Sequence, residues 1–237
     1  MKRSYLVFVI LAVMCLAGST AFAAGKLSTT QENFYVTQSG SSFYGNVYAK
    51  VENVGDHNAE YSAGLLEIYD ESGDTLASDS YLSVFGRYVA PGDYVYLKGS
   101  EGIDGIAGVT EVDDYLLTVS GKSSQSDRIV KKLPCDPSYI PDYPHSKYSV
   151  YDTMFATVTN NTDQIVYGIT VVFALLDADD NILFVDSHGL YDDVGLNPGS
   201  SLTVKKEIYD TYVEAYERAG LSADHVDAYA YYEEEAE

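Results

Sequence analysis

The sequence has no tryptophan and only two cysteines, Cys15 and Cys135. Because Cys15 lies in an N-terminal segment that we expect to be removed, an intramolecular disulfide is excluded in the mature chain. Stability must then come from packed apolar cores. Met14, and not a small residue, precedes Cys15, which argues against lipidation there. We interpret Cys135 as an unpaired loop residue without a role.

Basic residues are scarce as well. The chain has 14 Lys and Arg against 36 Asp and Glu, a formal net charge of −22. Residues 1–24 hold two of the basic and none of the acidic residues, so without them 12 minus 36 gives −24. A field of this sign repels nucleic acids and anionic lipids. We therefore expect no nucleic-acid partner and interpret the charge as a solvated acidic surface.

Long hydrophobic runs are missing except near the N-terminus. Two basic residues precede an uninterrupted apolar run at 5–16, and small residues follow at 21 and 23. This pattern predicts a signal peptide over 1–24, cleaved after Ala23 or Ala24. The run is too short to cross a bilayer, which takes about 20 residues of helix. We expect a secreted or extracytoplasmic mature chain, with the cell surface as one option and no transmembrane span.

No arrangement of residues predicts catalysis or metal binding. The four histidines have no metal-ligand spacing; they are His57, His145, His188 and His225. Ser222, Asp224 and His225 lie too close along the chain to form the oriented relay of nucleophilic catalysis. We predict no catalytic, cofactor-binding or metal-binding residues, no cofactor and no enzyme activity.

Three acidic runs, at 70–74, 177–180 and 192–193, contain potential calcium ligands. The run at 177–180 begins like an EF-hand loop but lacks the glycine and the closing glutamate of that loop. We interpret these runs as hairpin turns, with weak calcium binding by the acidic surface as the alternative.

What the sequence does contain is an internal repeat. Two stretches match at a fixed offset, from Tyr44 with Tyr151 onward, without a gap over about 55 positions. The offset is 151 minus 44, or 107. Further matched pairs include Asn53 with Asn160, Asp70 with Asp177, Asp79 with Asp186, Pro91 with Pro198 and Lys98 with Lys205. Tyr115 then matches Tyr229 at an offset of 114, which predicts seven residues gained by the second repeat. A repeat of this length has the size of a small domain.

Within each repeat, apolar residues alternate with polar ones and predict strands, as at Val47, Ala49 and Val51. Acidic turns and Pro-Gly pairs separate the strands and indicate hairpins. A short helix is predicted over 209–219 in the second repeat. The fold class is therefore all-β: two tandem immunoglobulin-like antiparallel β-sandwich domains, the second with a short helix insertion.

The predicted boundaries follow from composition. The first sandwich repeat is 25–120, a Pro-rich linker leading into the second repeat is 121–145, and the second sandwich repeat is 146–237. Four of the six prolines lie in the linker. In one strand of each repeat, Glu67 and its match Ala174 are expected to face outward.

The strand at 173–177, with the sequence FALLD, resembles the signature of the FxLYD domain family, with Leu176 in place of the tyrosine. The first copy, LEIYD at 66–70, keeps the tyrosine and lacks the phenylalanine. The resemblance covers somewhat more than half of each repeat. It implies two tandem copies of a small β-sandwich module, found in exported bacterial proteins, without an established catalytic site or transferable functional residues. The motif's apolar residues are expected to fill the core, and its aspartate to start the turn by accepting backbone hydrogen bonds.

Tyrosine occurs 23 times. Outward tyrosines on strands give rigid amphipathic surface of the kind used in recognition. The candidates are Tyr48, Tyr94, Tyr96, Tyr229, Tyr231 and Tyr232; the competing interpretation is that they fill space between sheets. The favoured function is an exported, non-catalytic protein or cell-surface interaction module that uses tyrosine-bearing sheet faces or an edge strand. The alternative is a carbohydrate-binding module that uses exposed tyrosines.

Overall fold

The computed structural model describes residues 24–124, 126, 128–190 and 193–235. The predicted signal peptide, apart from Ala24, lies outside these residues. The described chain is mostly antiparallel β-strand, which confirms the predicted all-β class. Across the same residues, no helix has the length and hydrophobicity required to cross a membrane.

The strands follow the chain from one repeat to the next. Those that begin before residue 125 are β1 (Leu27–Ser39), β2 (Ser42–Asn53), β3 (Ala59–Tyr69), β4 (Thr75–Asp79), β5 (Ser83–Phe85), β6 (Tyr88–Val89), β7 (Tyr94–Ile103) and β8 (Asp114–Ser123). Those that follow are β9 (Arg128–Leu133), β10 (Cys135–Ser146), β11 (Ser149–Thr159), β12 (Thr170–Leu176), β13 (Ile182–Gly189), β14 (Ser201–Ile208) and β15 (His225–Glu235). A helix, α1 (Asp210–Arg218), lies between β14 and β15, as predicted, and Gly220 with φ of 82° follows it.

The described strands form four sheets, which we number by their order in the stack. In sheet 1, β3 pairs with β4, β6 and β8; sheet 2 has the order β1-β2-β7-β5. Sheet 3 has the order β13-β12-β15-β9, and sheet 4 the order β10-β11-β14. Sheets 1 and 2 enclose one apolar core, and sheets 3 and 4 enclose another. The outer face of sheet 2 packs on the outer face of sheet 3.

The two repeats have matching strand connections. The order β1-β2-β7 corresponds to β10-β11-β14, and β4-β3-β8 corresponds to β13-β12-β15. Polar contacts repeat at the same offset: Asn53 Nδ2 donates to the Val89 carbonyl at 2.8 Å, and Asn160 Nδ2 to the Leu196 carbonyl at 2.7 Å. The sequence repeat is therefore a structural repeat.

The aspartate of the FxLYD-like motif starts a turn in both repeats. Asp70 Oδ1 accepts hydrogen bonds from the backbone N–H groups two and four residues later, at 2.8 and 2.9 Å. Asp177 Oδ1 accepts the equivalent two bonds at 2.9 and 2.8 Å. The expected turn-forming role of this aspartate is confirmed, and these acidic runs are hairpin turns.

The predicted gain of seven residues in the second repeat is wrong. Tyr115 pairs with Ile68, and Val226 pairs with Leu175, so Tyr115 and Val226 are equivalent at an offset of 111. The gain over the earlier offset of 107 is four residues. The match of Tyr115 with Tyr229, at an offset of 114, gave the wrong length because the two tyrosines occupy different positions in the strand register.

The segment 121–145, expected to be a Pro-rich linker, is mostly strand. It contains the end of β8, all of β9, which pairs with β15 at the edge of sheet 3, and most of β10. Three prolines lie in β10, which among the described residues pairs only with β11, and edge strands tolerate residues without an N–H. The division into two separate domains stays a prediction.

The core between sheets 3 and 4 continues without a break into the contact with sheet 2. Every residue of β12 after Thr170 is buried, as are the first four residues of β13. Ala174, expected to face outward, is completely buried, while its match Glu67 is half-exposed. Ala174 does lie on the outer face of sheet 3, as expected, but it does not meet solvent because sheet 2 covers that face.

Candidate functional site

Most of the tyrosines suggested as a recognition surface lie in the contact between sheets 2 and 3. Tyr48, Tyr96 and Tyr229 are buried, and Tyr94 is half-buried. The Tyr96 and Tyr229 rings stack with their centroids 6.2 Å apart, and Tyr94 meets both rings edge-on. The proposed exposed tyrosine face is therefore wrong, since these rings pack one repeat against the other. Tyr231 and Tyr232 are half-buried.

The hydroxyl groups of Tyr94, Tyr96 and Tyr229 are all bonded across the contact. Tyr229 Oη donates to the Phe85 carbonyl at 2.6 Å and accepts from the Tyr96 backbone N–H at 3.1 Å. Tyr94 and Tyr96 each donate to Asp227 Oδ2 at 2.7 Å. Burial, followed by the charge of Asp227, raises the pKa of Tyr96 far above its usual range. These hydroxyls therefore stay protonated and act as hydrogen-bond donors.

A lysine from the segment expected to be a linker completes this contact. Lys132 Nζ lies 4.5 Å from the ring centroid of Tyr94 and 4.6 Å from that of Tyr229. It also pairs with Asp93 and donates to the Tyr94 carbonyl at 3.0 Å. Such cation–π contacts gain strength where water is partly excluded. Strand β9 thus holds the two repeats together.

Further along β7, sheet 2 and strands β13 and β14 of the second repeat leave a cavity of about 550 Å³ between them. We call it the inter-repeat cleft, because β2 and β7 line it from one repeat and β13, β14 and α1 line it from the other. Its charged and polar side chains include Lys98, Ser100, Asp186, His188 and Lys206. Cavities of this size at the junction of two structural units are common ligand sites.

Asp186 is the charged centre of the cleft. It accepts a hydrogen bond from Lys98 of the first repeat, and its Oδ2 lies 2.6 Å from Lys206 Nζ of the second. Burial acts to raise the pKa of Asp186, but the bonds and charges of Lys206 and Lys98 outweigh it and hold the pKa below its usual value. The carboxylate is thus ionised, with two ammonium groups against one negative charge.

Aromatic rings form another part of the lining. Phe184 lies between Tyr48 and Tyr212, with ring centroids 5.6 and 5.0 Å away. Tyr212 belongs to α1 and is half-buried, and Tyr209 just before the helix is 56% exposed. The helix that the second repeat inserts therefore places two partly accessible tyrosines at the cleft.

A third lysine lines the cleft beside a carboxylate. Lys205 Nζ lies 3.5 Å from Glu207 Oε1 and 3.1 Å from His145 Nδ1. His145 Nδ1 is in turn 2.9 Å from Glu207 Oε1. In total, three lysines stand against two carboxylates in the lining, an excess of positive charge in a chain of net charge −22.

The residues considered for catalysis are occupied elsewhere. His225 Nδ1 lies 3.1 Å from Asp224, and Nε2 lies 3.1 Å from Asp180, so both ring nitrogens face carboxylates and not Ser222. In the residues that the structure describes, no three His, Cys, Asp or Glu side chains are grouped to hold a metal ion. Of the acidic run at 192–193, Asp192 lies outside those residues.

Cys135 was expected to lie in a loop. In the structure it begins β10 and packs against the core of the second repeat. Burial, with smaller effects of Asp227 and Asp136, raises the pKa of its thiol to about 11. The thiol therefore stays protonated and weakly reactive at neutral pH.

The sequence interpretation missed the residues that define the cleft. Lys98 and Asp186 each belong to a matched pair of the repeat, which indicated a structural role and not a binding role. Lys206 belongs to no motif or matched pair. A usable signal was the unbroken apolar sequence of β12 and β13. Continuous apolar strands are typical of sheets covered on both faces.

In comparisons with protein-family models, with curated proteins and with solved structures, nothing matches this chain significantly. The resemblance to the FxLYD family therefore rests on the residues of the motif alone.

Proposed function

We propose that this chain is an exported, non-catalytic recognition protein that binds a component of a cell surface in the inter-repeat cleft. The observation that carries this proposal is the cleft itself: residues of both repeats build it, and its charge is opposite to that of the whole chain. FxLYD-like modules in tandem, behind a signal peptide, fit such a role.

A binding role accounts for the chemistry of the cleft better than catalysis does. Asp186 is ionised between two lysines, so it is poorly suited to exchange protons near neutral pH. Glu207 is engaged by Lys205 and His145. Fixed charges beside aromatic rings orient a ligand without supplying a nucleophile.

Two other routes to recognition lose support. The tyrosine face is covered by the other repeat. Strand β10 could have accepted a partner strand at its edge, but Pro137, Pro141 and Pro144 lack the N–H groups that strand addition uses. The cleft favours a ligand small enough to enter it, or a terminal unit of a polymer.

The test uses residues 25–237 on an array of defined glycans and peptides, neutral and charged. His188 is exposed on β13 and lines the cleft, two positions after Asp186 on the same face of the strand, so His188→Trp should obstruct the cleft without disturbing a core. Thr118→Trp, on the exposed side of β8, is the matched control.

We expect at least one compound class to bind wild type and Thr118→Trp but not His188→Trp. Binding that survives His188→Trp unchanged would place the site elsewhere. No binding across the array would contradict a recognition function for this cleft.

A further inference from the structure

The charged groups of the inter-repeat cleft have unused hydrogen-bonding capacity. A lysine ammonium has three N–H donors. Lys98 donates to Asp186, and Lys206 donates to Asp186 and, at 3.5 Å, to the Ser187 carbonyl. Their side chains are 33% and 30% exposed. Both ammonium groups therefore keep donors for a further partner while remaining fixed by Asp186.

The net positive charge of Lys98, Lys206 and Asp186 together favours an anion as that partner. Asp186 neutralises only one of the two ammonium groups, and Lys205 is already engaged by Glu207. A single carboxylate added beside Lys98 and Lys206 would bring this group to neutrality. A doubly charged anion would face repulsion from Asp186 without a further cation to offset it. The cleft therefore suits a monocarboxylate better than a phosphate.

The remaining lining suits a ring that carries hydroxyl groups. Tyr212 and Tyr209 present partly accessible aromatic rings, and the polar side chains of Ser100 and His188 line the same cleft. The apolar C–H face of a sugar ring packs on aromatic carbon, while its hydroxyls exchange hydrogen bonds with polar side chains. A flexible acidic side chain of a peptide would leave this aromatic part of the cleft unfilled.

We infer that the inter-repeat cleft binds the carboxylate of an acidic saccharide, a uronic acid residue, between Lys98 and Lys206, with the sugar ring against the tyrosines of the α1 region. The inference rests on the proposed function and names the class of ligand for the same site.

The test is isothermal titration calorimetry on residues 25–237 with ligands that differ only in the acid group. The probes are the methyl glycosides of glucuronic and galacturonic acid, the corresponding uronamides, and the neutral glucose and galactose glycosides. Acetate and an acidic tripeptide supply carboxylates without a sugar ring. Each binding isotherm is repeated at higher salt, which weakens charge pairing.

We expect one of the uronides to bind about tenfold or more tightly than its uronamide, because the amide oxygen still accepts a hydrogen bond but no longer carries a charge to pair with the lysines. Lys98→Gln and Lys206→Gln should each remove most of this preference, and Lys147→Gln, an exposed lysine in the β10–β11 turn, should leave it unchanged. The uronide-to-uronamide comparison on wild type needs no variant, so it decides the question even if a lysine variant folds poorly.

Equal affinity for uronides and neutral glycosides would overturn the inference while leaving the proposed function intact. Equal affinity for acetate, the tripeptide and the uronides would overturn the saccharide assignment. Absence of uronide binding would overturn the inference as well, and the array with His188→Trp would then decide separately whether the cleft binds anything.

Discussion

Sheets 1 and 3 occupy equivalent positions in the two repeats but have different surroundings. The outer face of sheet 1 carries Glu67, Leu116 and Thr118 and meets solvent. The outer face of sheet 3 carries Ala174 and Tyr229 and is buried against sheet 2. The same backbone pairing therefore supports a solvated sheet in one copy and a sheet covered on both faces in the other. The sheets differ in these side chains and in β9, which pairs with β15 in sheet 3.

Sheets 2 and 4 also differ at two matched positions of their outer faces. Sheet 4 is equivalent to sheet 2, but Ser201 and Thr203 stand where sheet 2 has Tyr94 and Tyr96. Their hydroxyls pair with those of Thr159 and Thr157, each at 2.8 Å. Terminal units of repeat proteins need such polar outer faces. At these two positions sheet 4 meets solvent, whereas sheet 2 packs on sheet 3.

The largest difference in stability is expected when Glu67 and its match Ala174 are each replaced by the residue found at the other position. Ala174→Glu places a carboxylate without a partner in the contact between sheets 2 and 3, and we expect a loss of about 3 to 5 kcal/mol in the free energy of unfolding. Glu67→Ala, on the half-exposed face, should change it by about 0.5 kcal/mol or less. Urea unfolding of both variants measures the difference. Similar small losses would mean that sheet 2 does not cover Ala174.

The matched residues Asn53 and Asn160 should respond alike, because both are buried and bond to equivalent backbone carbonyls. Replacing either by Ala leaves several backbone groups without partners, for an expected loss of about 3 kcal/mol. Urea unfolding of the two variants, and of the double variant, checks this. A large loss for one and almost none for the other would contradict the structural equivalence of the repeats.

Tyr229→Phe removes only the hydroxyl that bridges the Phe85 carbonyl and the Tyr96 N–H. Because both backbone groups are then left unsatisfied in a buried contact, we expect a loss of about 2 kcal/mol. Tyr115→Phe, whose hydroxyl bonds to Glu32 at 3.3 Å outside this contact, is the control and should cost less than about 0.5 kcal/mol. Thermal unfolding would show equal shifts for both variants if the contact did not exist.

The smallest expected change in the free energy of unfolding comes from replacing Asp186, with its match Asp79 as the control. Because the pKa of Asp186 is lowered in the folded state, its contribution is present above the unfolded value of about 3.9 and is lost as pH falls further. Asp186→Asn should cost about 1 kcal/mol at pH 7, the upper end for ion pairs near a surface, and progressively less below pH 4. Asp79→Asn is the control, since an amide oxygen can still accept the hydrogen bond from the Tyr81 N–H. Unfolding free energies that differ from wild type by the same amount at pH 7 and pH 3 would contradict this role of Asp186.

Local structure was predictable from the sequence because it depends on local patterns. The alternation at Val47 and Val51, the aspartate turns and the helix before Gly220 all lie where they were expected. Long-range contacts were not predictable in the same way. Nothing local distinguishes a tyrosine that meets solvent from Tyr96, which meets another sheet, and the pairing of Lys98 with Asp186 joins residues 88 positions apart.

The central claim, that sheets 2 and 3 bury the tyrosines between them, is tested most directly by tyrosine nitration of the folded protein read by mass spectrometry. Tyr81 and Tyr148 are 91% and 88% exposed and should be nitrated readily. Tyr48, Tyr96 and Tyr229 should stay unmodified until the chain unfolds. Nitration of Tyr229 or Tyr96 in the folded protein as fast as that of Tyr81 would contradict the account.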